Sequence, residues 1–250
     1  MRTALPRLEK HMVELELDRG LAVITINRPE ARNAIAPATM DELDKAIDAA
    51  EGARALVITG AGDRAFVSGG DLKELALVRT DEQARAMALR MRGVCDRLAA
   101  FPAPVIAALN GHAIGGGAEV AVAADLRIAA ADVKIGFTQA TLAIMPAWGG
   151  AERLAALLGR GRAILLAGTG RLLDAPEAES LGLIDQVVPR ADFADAWRAL
   201  ARSLTDGPGL ELKRVTAPGV TAEESAAEFA RLWVADAHWA AVEKATNRRK

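Results

Sequence analysis

Two glycine-rich segments, each placed directly after an apolar strand, are the strongest constraint in this sequence. Residues 65–71 (AFVSGGD) follow the strand predicted at 55–59, and residues 110–119 (NGHAIGGGAE) follow the strand predicted at 105–109. Glycine leaves no Cβ between the backbone and a ligand, and it adopts positive φ angles freely. Two backbone N–H groups from separate turns can bind one developing negative oxygen, the arrangement called an oxyanion hole. The sequence therefore predicts an enzyme that acts through an enolate or a tetrahedral oxyanion.

Strand and helix patterns alternate along the first three quarters of the chain, and helical patterns alone follow. Period-two alternation predicts a hairpin at 13–26, and the capping box at 80–83 (TDEQ) begins a long amphipathic helix. The remaining sequence is alanine-rich and helical. We therefore predict an α/β core over residues 1–191 and a helical C-terminal region over residues 192–250.

Composition argues against several classes of protein. The 31 basic and 33 acidic side chains nearly cancel, and there is no tyrosine, so a surface that coats nucleic acid or stacks on bases is not expected. The single cysteine, Cys95, excludes an intrachain disulfide framework and is expected to be a buried helix residue. No apolar run approaches a membrane span, and the charged Glu9 and Lys10 lie where a signal peptide would be apolar. A soluble, cytoplasmic protein is expected.

Other site patterns are weak. Residues 60–65 (GAGDRA) match a dinucleotide-binding fingerprint, but no helix opens there and no acidic residue ends a second strand about 20 residues later. Ser68 is not preceded by the glycine of a nucleophile elbow, so it is interpreted as a turn serine. His11, His112 and His238 have no partners at metal-ligand spacing, so no zinc site is predicted. His112, within the second glycine-rich segment, is interpreted as a packing residue or as one that supports a neighbouring site residue.

Glu119 is the strongest single candidate for a catalytic residue. It lies three residues after Gly116, in the first turn of a predicted helix, and helical side chains lean back towards the N-terminus. A carboxylate beside the N–H of Gly116 suits proton transfer at the carbon next to an acyl group. A first-turn acid that complements the helix dipole is the alternative. Spacing alone leaves both interpretations open.

These motifs resemble those of the crotonase superfamily, the enoyl-CoA hydratases and isomerases. Residues 65–71 are similar to its A-F-x-x-G-[AG]-D segment, and residues 110–119 to its N-G-x-A-x-G-G-G-x-E segment. Residues 27–34 (NRPEARNA) resemble N-R-P-x-x-x-N-A, which in the family helps to wrap the adenine end of coenzyme A. Residues 146–150 match P-x-x-G-G, and residues 183–188 resemble the strand that follows A-x-x-x-G-L.

The resemblance implies a crotonase-like spiral of ββα units with a helical C-terminal appendage. In the family, the C-terminal helices pack between subunits and give trimers or dimers of trimers. The implied substrate is a coenzyme A thioester, with no other cofactor and no metal. Gly70 and Gly116 then hold the thioester oxygen, and Glu119 is one catalytic glutamate. The coenzyme A contacts implied by the same resemblance are Arg28, Arg32, Ser68 and Lys73.

Two positions depart from the family pattern. Gln139 takes the place of the second catalytic glutamate, and an amide can hold a water but cannot take or give its proton. Trp148 stands where the family usually has a small residue, and decarboxylase-like members resemble this W-G-G pattern. Hydration of a 2-enoyl-CoA, by a hydro-lyase, is the leading interpretation. The alternatives are decarboxylation of a substituted malonyl-CoA and a catalytically silent subunit that binds coenzyme A.

Overall fold

A computed structural model of the chain describes residues 11–247. Glu9, Lys10 and the outer ends of the two predicted regions lie outside these residues. Ten strands occur within them: β1 (Val13–Asp18), β2 (Leu21–Ile26), β3 (Ala55–Gly60), β4 (Ala65–Val67), β5 (Val105–Leu109), β6 (His112–Ile114), β7 (Leu126–Ala130), β8 (Lys134–Gly136), β9 (Leu173–Asp174) and β10 (Gln186–Val188).

The strands form two sheets. The six-stranded sheet has the order β1-β2-β3-β5-β7-β10, in which β1 and β2 form the predicted antiparallel hairpin and the other neighbours are parallel. The four-stranded sheet has the order β4-β6-β8-β9, with only the β8–β9 pair antiparallel. Successive turns of the chain add one strand to each sheet, which agrees with the expected α/β spiral.

Eleven α-helices lie within the described residues: α1 (Pro37–Ala49), α2 (Leu72–Leu75), α3 (Asp81–Ala99), α4 (Gly116–Ala121), α5 (Gly150–Leu158), α6 (Arg160–Thr169), α7 (Ala175–Ser180), α8 (Phe193–Asp206), α9 (Gly209–Val215), α10 (Ala222–Trp233) and α11 (Asp236–Asn247). Single 3₁₀ turns cover Pro29–Ala31 and Thr138–Leu142. The capping box predicted for α3 is present, because Thr80 Oγ1 accepts from Gln83 N and Gln83 Oε1 accepts from Thr80 N. Within residues 11–247, no helix is long and apolar enough to cross a bilayer.

The structure differs from the sequence prediction at short elements. The first glycine-rich segment is not a turn throughout, because its residues 65–67 form strand β4, which pairs with β6. Strands of three residues are too short to show a period-two pattern. Helix α4 ends at Ala121, because the N–H groups of Ala123 and Ala124 bond three residues back in a closing turn.

The last predicted strand, expected over residues 183–188, is also shorter. It begins at Gln186, because the N–H groups of Leu183 and Ile184 both bond to the carbonyl of Ala178. These two residues are fully buried at the end of α7. Their apolar side chains therefore fill a buried turn rather than one face of a strand.

Helix α8 packs on the six-stranded sheet. Phe193, Trp197 and Ala201 on this helix are buried, and α8 contacts β2, β3 and β7. Helices α10 and α11 bury no residue, and Phe229 and Trp239 on them are largely exposed. The first helix after residue 192 thus helps to cover the core. The division of the chain at residues 191 and 192 stays a prediction.

Cys95 is a core residue, as predicted. It lies on α3 with no exposed surface, and burial raises the pKa of its thiol to about 12. The thiolate is the nucleophilic form of cysteine, so this side chain is unreactive near neutral pH.

Candidate active site

The two glycine-rich segments pack directly against each other. A Cβ on Gly111 would lie 2.3 Å from the backbone nitrogen of Ala65, and a Cβ on Gly117 would lie 1.9 Å from the carbonyl oxygen of Val67. Contacts this short exclude any side chain, so glycine is required at both positions. The pairing of β4 with β6 therefore brings the ends of the two segments together.

Gly70 and Gly116 both present backbone N–H groups that bond to no residue within 11–247. The chain on either side of Gly70 is fixed by two hydrogen bonds of 2.8 Å. Ile35 N donates to Gly69 O, and Asp71 N donates to Ile35 O. Gly116 is the first residue of α4, where a helical N–H has no partner within its own helix. Neither predicted oxyanion donor is therefore used by another residue of this part of the chain.

The indole of Trp148 lies against both of these glycines. A Cβ on Gly116 would lie 2.1 Å from its Cζ3 atom, and a Cβ on Gly70 would lie 3.8 Å from its Cζ2 atom. Leu75 on α2 adds a second apolar neighbour, 2.8 Å from a Cβ on Gly70. Trp148 is only 6% exposed. The two segments therefore converge on one small volume, and the indole fills much of it.

Glu119 is buried beside this volume, with 2% of its surface exposed. Its Oε2 accepts hydrogen bonds from Trp148 N at 2.7 Å and Gly150 N at 3.0 Å, and its Oε1 accepts one from Gln139 Nε2 at 2.7 Å. Burial raises the pKa of Glu119 above its ordinary value, by more than these hydrogen bonds lower it. All three donors belong to other chain segments, so the dipole interpretation alone does not account for its environment.

Gln139 lies in the 3₁₀ turn Thr138–Leu142 and is 7% exposed. Its Nε2 contacts the Glu119 carboxylate directly, so no water-sized gap separates the two side chains. Its Oε1 is buried and accepts no hydrogen bond from residues 11–247. The position predicted for a second catalytic acid therefore holds a neutral amide that is already bonded to the first.

Comparison with known proteins identifies the family. The family model described as enoyl-CoA hydratase/isomerase matches residues 16–242. The chain belongs to the enoyl-CoA hydratase/isomerase family. The short-chain-enoyl-CoA hydratase of Clostridium acetobutylicum is 36% identical over 209 residues, which are 82% of this chain and 80% of that protein. The crotonyl-CoA hydratase of Syntrophomonas wolfei is 39% identical over 197 residues, covering 77% of this chain and 75% of that protein.

A crystal structure of an enoyl-CoA hydratase from Bacillus anthracis has the same fold. It superposes with a TM-score of 0.85 at 29% identity, covering 95% of this chain and 97% of that chain. The predicted superfamily and the crotonase-like fold are thus confirmed for this member of the enoyl-CoA hydratase/isomerase family.

The family's N-R-P-x-x-x-N-A segment is attached to the first glycine-rich segment by Arg28. Its Nη2 donates to Asp71 Oδ2 at 2.9 Å, and its Nη1 donates to the carbonyl of Ala34 at 2.5 Å. Burial alone would raise the pKa of the Asp71 carboxyl group. The hydrogen bonds from Arg28 and from backbone N–H groups outweigh burial and hold that pKa below its ordinary value. The Arg28 guanidinium therefore has a structural role in this family member. Its contact with coenzyme A stays a prediction.

The other predicted coenzyme A contacts lie at or near the protein surface. Arg32 and Lys73 are exposed, and Ser68 is half-buried. Ser68 N donates to Arg32 O at 3.2 Å, which places these two residues side by side. Gly70, Gly116, Glu119 and Gln139 meet around Trp148, whereas Arg32 and Lys73 remain at the surface.

Two asparagines hold the glycine-rich segments in place. The Nδ2 of buried Asn33 donates to Ala65 O at 2.7 Å, and the Oδ1 of Asn110 accepts from Gly60 N at 3.0 Å. Asn33 adopts a φ of 56°, a left-handed conformation that asparagine tolerates well. The sequence motifs contained both residues but gave no indication of this structural role. The N–H groups of Trp148 and Gly150 on Glu119 were also missed, because backbone donors carry no residue-type signal.

The remaining sequence predictions concern His112 and residues 60–65. His112 is exposed, and its Nδ1 accepts from Lys134 N at 3.0 Å, so it bonds to the neighbouring strand β8 rather than packing in the core. Residues 61–64 connect β3 to β4 without opening a helix, as expected for a segment that is not a dinucleotide site. Among residues 11–247, no cluster of three or more His, Cys, Asp or Glu side chains is placed to hold a metal ion.

Proposed function

We propose that this enzyme acts on acyl-CoA thioesters and hydrates a 2-enoyl-CoA. The observation that carries the proposal is the placement of the buried Glu119 carboxyl group on the same helical turn as the unpartnered N–H of Gly116. The thioester oxygen binds the N–H groups of Gly70 and Gly116, and one such donor typically contributes about 2.7–4 kcal/mol to the transition state. The hydratase relatives support this reaction.

Glu119 acts as the only proton carrier in this proposal. It accepts a proton from water as the water oxygen bonds to C3, and the electrons of the double bond move to the thioester oxygen. The same proton then passes from Glu119 to C2, which restores the carboxylate and completes the addition of water. The raised pKa of Glu119 suits this role, because a group that holds and returns a proton works best with a pKa near the operating pH.

Decarboxylation of a substituted malonyl-CoA is the second candidate. Loss of carbon dioxide leaves an enolate, which needs the same two N–H donors and then one proton from Glu119. The direct Glu119–Gln139 hydrogen bond and the indole of Trp148 beside the glycines favour this reaction, because neither leaves space for a water between two acids. A catalytically silent subunit that binds coenzyme A is the third candidate.

Assembly and coenzyme A binding complete the proposal. Arg28, Arg32, Ser68 and Lys73 contact the adenine or phosphates of the substrate, and no cofactor beyond its coenzyme A is used. Helices α10 and α11 mediate trimers or dimers of trimers, which their exposed Phe229, Trp233 and Trp239 side chains support. We place the enzyme in the cytoplasm.

Incubation with crotonyl-CoA and with methylmalonyl-CoA separates the three candidates. A hydratase forms 3-hydroxybutyryl-CoA, a decarboxylase forms propionyl-CoA, and a silent subunit binds both without turnover. Glu119→Gln should abolish the reaction that is seen, whereas Glu82→Gln on the exposed start of α3 should leave it unchanged. The proposal of hydration fails if the wild-type protein leaves crotonyl-CoA and longer 2-enoyl-CoAs untouched.

A further inference from the structure

The loop that donates to Glu119 is held from its other side by Arg153. The N–H groups of Trp148 and Gly150 both donate to Glu119 Oε2, at 2.7 and 3.0 Å. The Trp148 carbonyl, in the peptide between these two donors, accepts from Arg153 Nη1 at 3.2 Å. Each peptide is planar and shares a Cα with the next, so rotation of the middle peptide would turn a neighbouring N–H away from the carboxylate. Arg153 therefore restrains both donors.

Helix α5 and Gly149 allow the guanidinium to lie against this loop. Arg153 is the fourth residue of α5, and helical side chains lean back towards the N-terminus of their helix, which here is the loop. A Cβ on Gly149 would lie 2.2 Å from Arg153 Nη1, and Gly149 has a φ of 86°. Glycine at this position therefore permits both the left-handed backbone and the approach of the guanidinium.

The other branch of the guanidinium is fixed to helix α3. Arg153 Nη2 pairs with Asp96, and the Arg153 side chain is only 19% exposed. Because the guanidinium is planar and rigid, a carboxylate on one branch sets the direction of the other. Arg92 links the same two helices by pairing with Glu152 at 2.6 Å, but within residues 11–247 it makes no hydrogen bond to the loop 146–150. The structure thus contains two α3–α5 ion pairs, of which one reaches the loop.

From these contacts we infer that Arg153 is a positioning residue for Glu119, an inference that rests on the proposed role of Glu119 as the proton carrier. Arg153 acts through the peptide between Trp148 and Gly149. It keeps two N–H groups on Glu119 Oε2, which fixes the carboxylate relative to the N–H of Gly116 on the same helical turn. Hydration and decarboxylation depend on this position alike, because both use a proton from Glu119.

The titration of Glu119 can be separated from that of the groups around it. Strands β4 and β5, the rest of α4 and the segments 138–142 and 146–150 contain no ionisable side chain. Burial raises the pKa of the neighbouring Cys95 thiol to about 12, and the bond from Arg92 lowers the pKa of Glu152. The remaining groups on the elements packed against Glu119 are the ion-paired Arg92, Asp96 and Arg153 and the exposed His112 of β6.

The test compares Arg153→Met with Arg92→Met, which removes the same charge and the other α3–α5 ion pair but leaves the loop contact in place. Protein carrying glutamate labelled with ¹³C at the side-chain carboxyl is titrated by NMR, with the Glu119 signal assigned from its loss in Glu119→Gln. Arg153→Met should raise the pKa of Glu119 above that of wild type, because the ionised carboxylate loses aligned donors. Arg92→Met should leave this pKa close to wild type.

The kinetic part of the test uses the thioester that the wild type converts, either crotonyl-CoA or methylmalonyl-CoA. Arg153→Met should lower kcat about 10- to 100-fold with KM much less affected, because displacement of a reacting group mainly slows the chemical step. Arg92→Met should keep the wild-type kcat. If Arg153→Met does not fold, Arg153→Lys replaces it, since lysine keeps the charge but lacks the rigid fork, and the same directions are expected.

The inference is overturned if the Glu119 pKa or kcat of the Arg153 variant equals that of wild type. Equal changes in Arg92→Met would also overturn it, because they would trace the effect to a lost charge or to a loosened α3–α5 contact. An inactive wild-type protein overturns the proposed function, whereas an active wild type whose Arg153 variant is unchanged overturns only this inference. The NMR titration reports on Arg153 in either case.

Discussion

Trp148 and Gly116 are packed so closely that position 116 tolerates no side chain beyond hydrogen. A Cβ there would lie 2.1 Å from Cζ3 and 2.4 Å from Cη2 of the indole. The glycine that donates to the thioester oxygen in the proposed mechanism is therefore also the residue that makes room for the tryptophan ring.

Gly116→Ala should lower the free energy of unfolding by about 1–3 kcal/mol, the usual cost of overpacking. Removal of the ring by Trp148→Ala should relieve this cost, so the double variant should be more stable than the sum of the two single changes predicts. Urea denaturation of the four proteins measures the coupling. Additive effects would show that the indole does not restrict position 116.

Trp148→Ala should also change the acyl groups that the enzyme accepts. The indole fills the volume beside Gly70 and Gly116, so its removal should favour longer acyl chains over crotonyl-CoA. One methylene in an apolar pocket is worth roughly 10- to 200-fold in specificity. We expect the ratio of kcat/KM for 2-octenoyl-CoA to that for crotonyl-CoA to rise at least about tenfold. Leu17→Ala, at an exposed apolar residue of the edge strand β1, is the matched control, and an equal rise there would contradict the assignment.

Glu119 should make folding stability depend on pH. Burial raises its folded pKa above the ordinary glutamate value, so the stability that it contributes is present below that ordinary value and is lost as pH rises through the folded pKa. Glu119→Gln removes the ionisation. The variant should therefore gain stability relative to wild type as pH rises above the ordinary pKa of a glutamate. Urea denaturation at several pH values measures the difference, and a constant difference would show that the pKa of Glu119 is not raised.

The Arg28–Asp71 ion pair gives the opposite pH dependence. The pKa of Asp71 is held below the ordinary aspartate value, so its contribution is present above that ordinary value and is lost as pH falls through the folded pKa. Asp71→Asn should cost about 1.5–3 kcal/mol at neutral pH and less in acid. Asp63→Asn, at an exposed loop position, should cost almost nothing at any pH. Equal losses in the two variants would show that the pair does not hold the first glycine-rich segment.

Sequence motifs predicted the parts of the site that depend on residue type. Gly70 and Gly116 were recognisable because close backbone packing permits only glycine, and Glu119 because its spacing from Gly116 places it on the first helical turn. Periodicity likewise predicted the β1–β2 hairpin and the long helix α3, whose patterns extend over enough residues to be read.

Contacts made by backbone atoms or between distant segments leave no signal in the local sequence. Strand β4 has three residues, and its pairing with β6 depends on the whole spiral. The N–H groups of Trp148 and Gly150 on Glu119 come from a loop whose path no local pattern specifies. The direct contact between Gln139 and Glu119 likewise needed coordinates, because the sequence could suggest only that the two positions correspond to a pair of acids.

Residue 148 serves the site through two chemically separate groups. Its ring limits the room beside the glycines, while its peptide nitrogen anchors Glu119 and its carbonyl accepts from Arg153. Every amino acid except proline supplies that nitrogen with its hydrogen. The room beside the glycines can therefore be changed at this one codon, by evolution or by design, without removing an anchor of the Glu119 carboxylate.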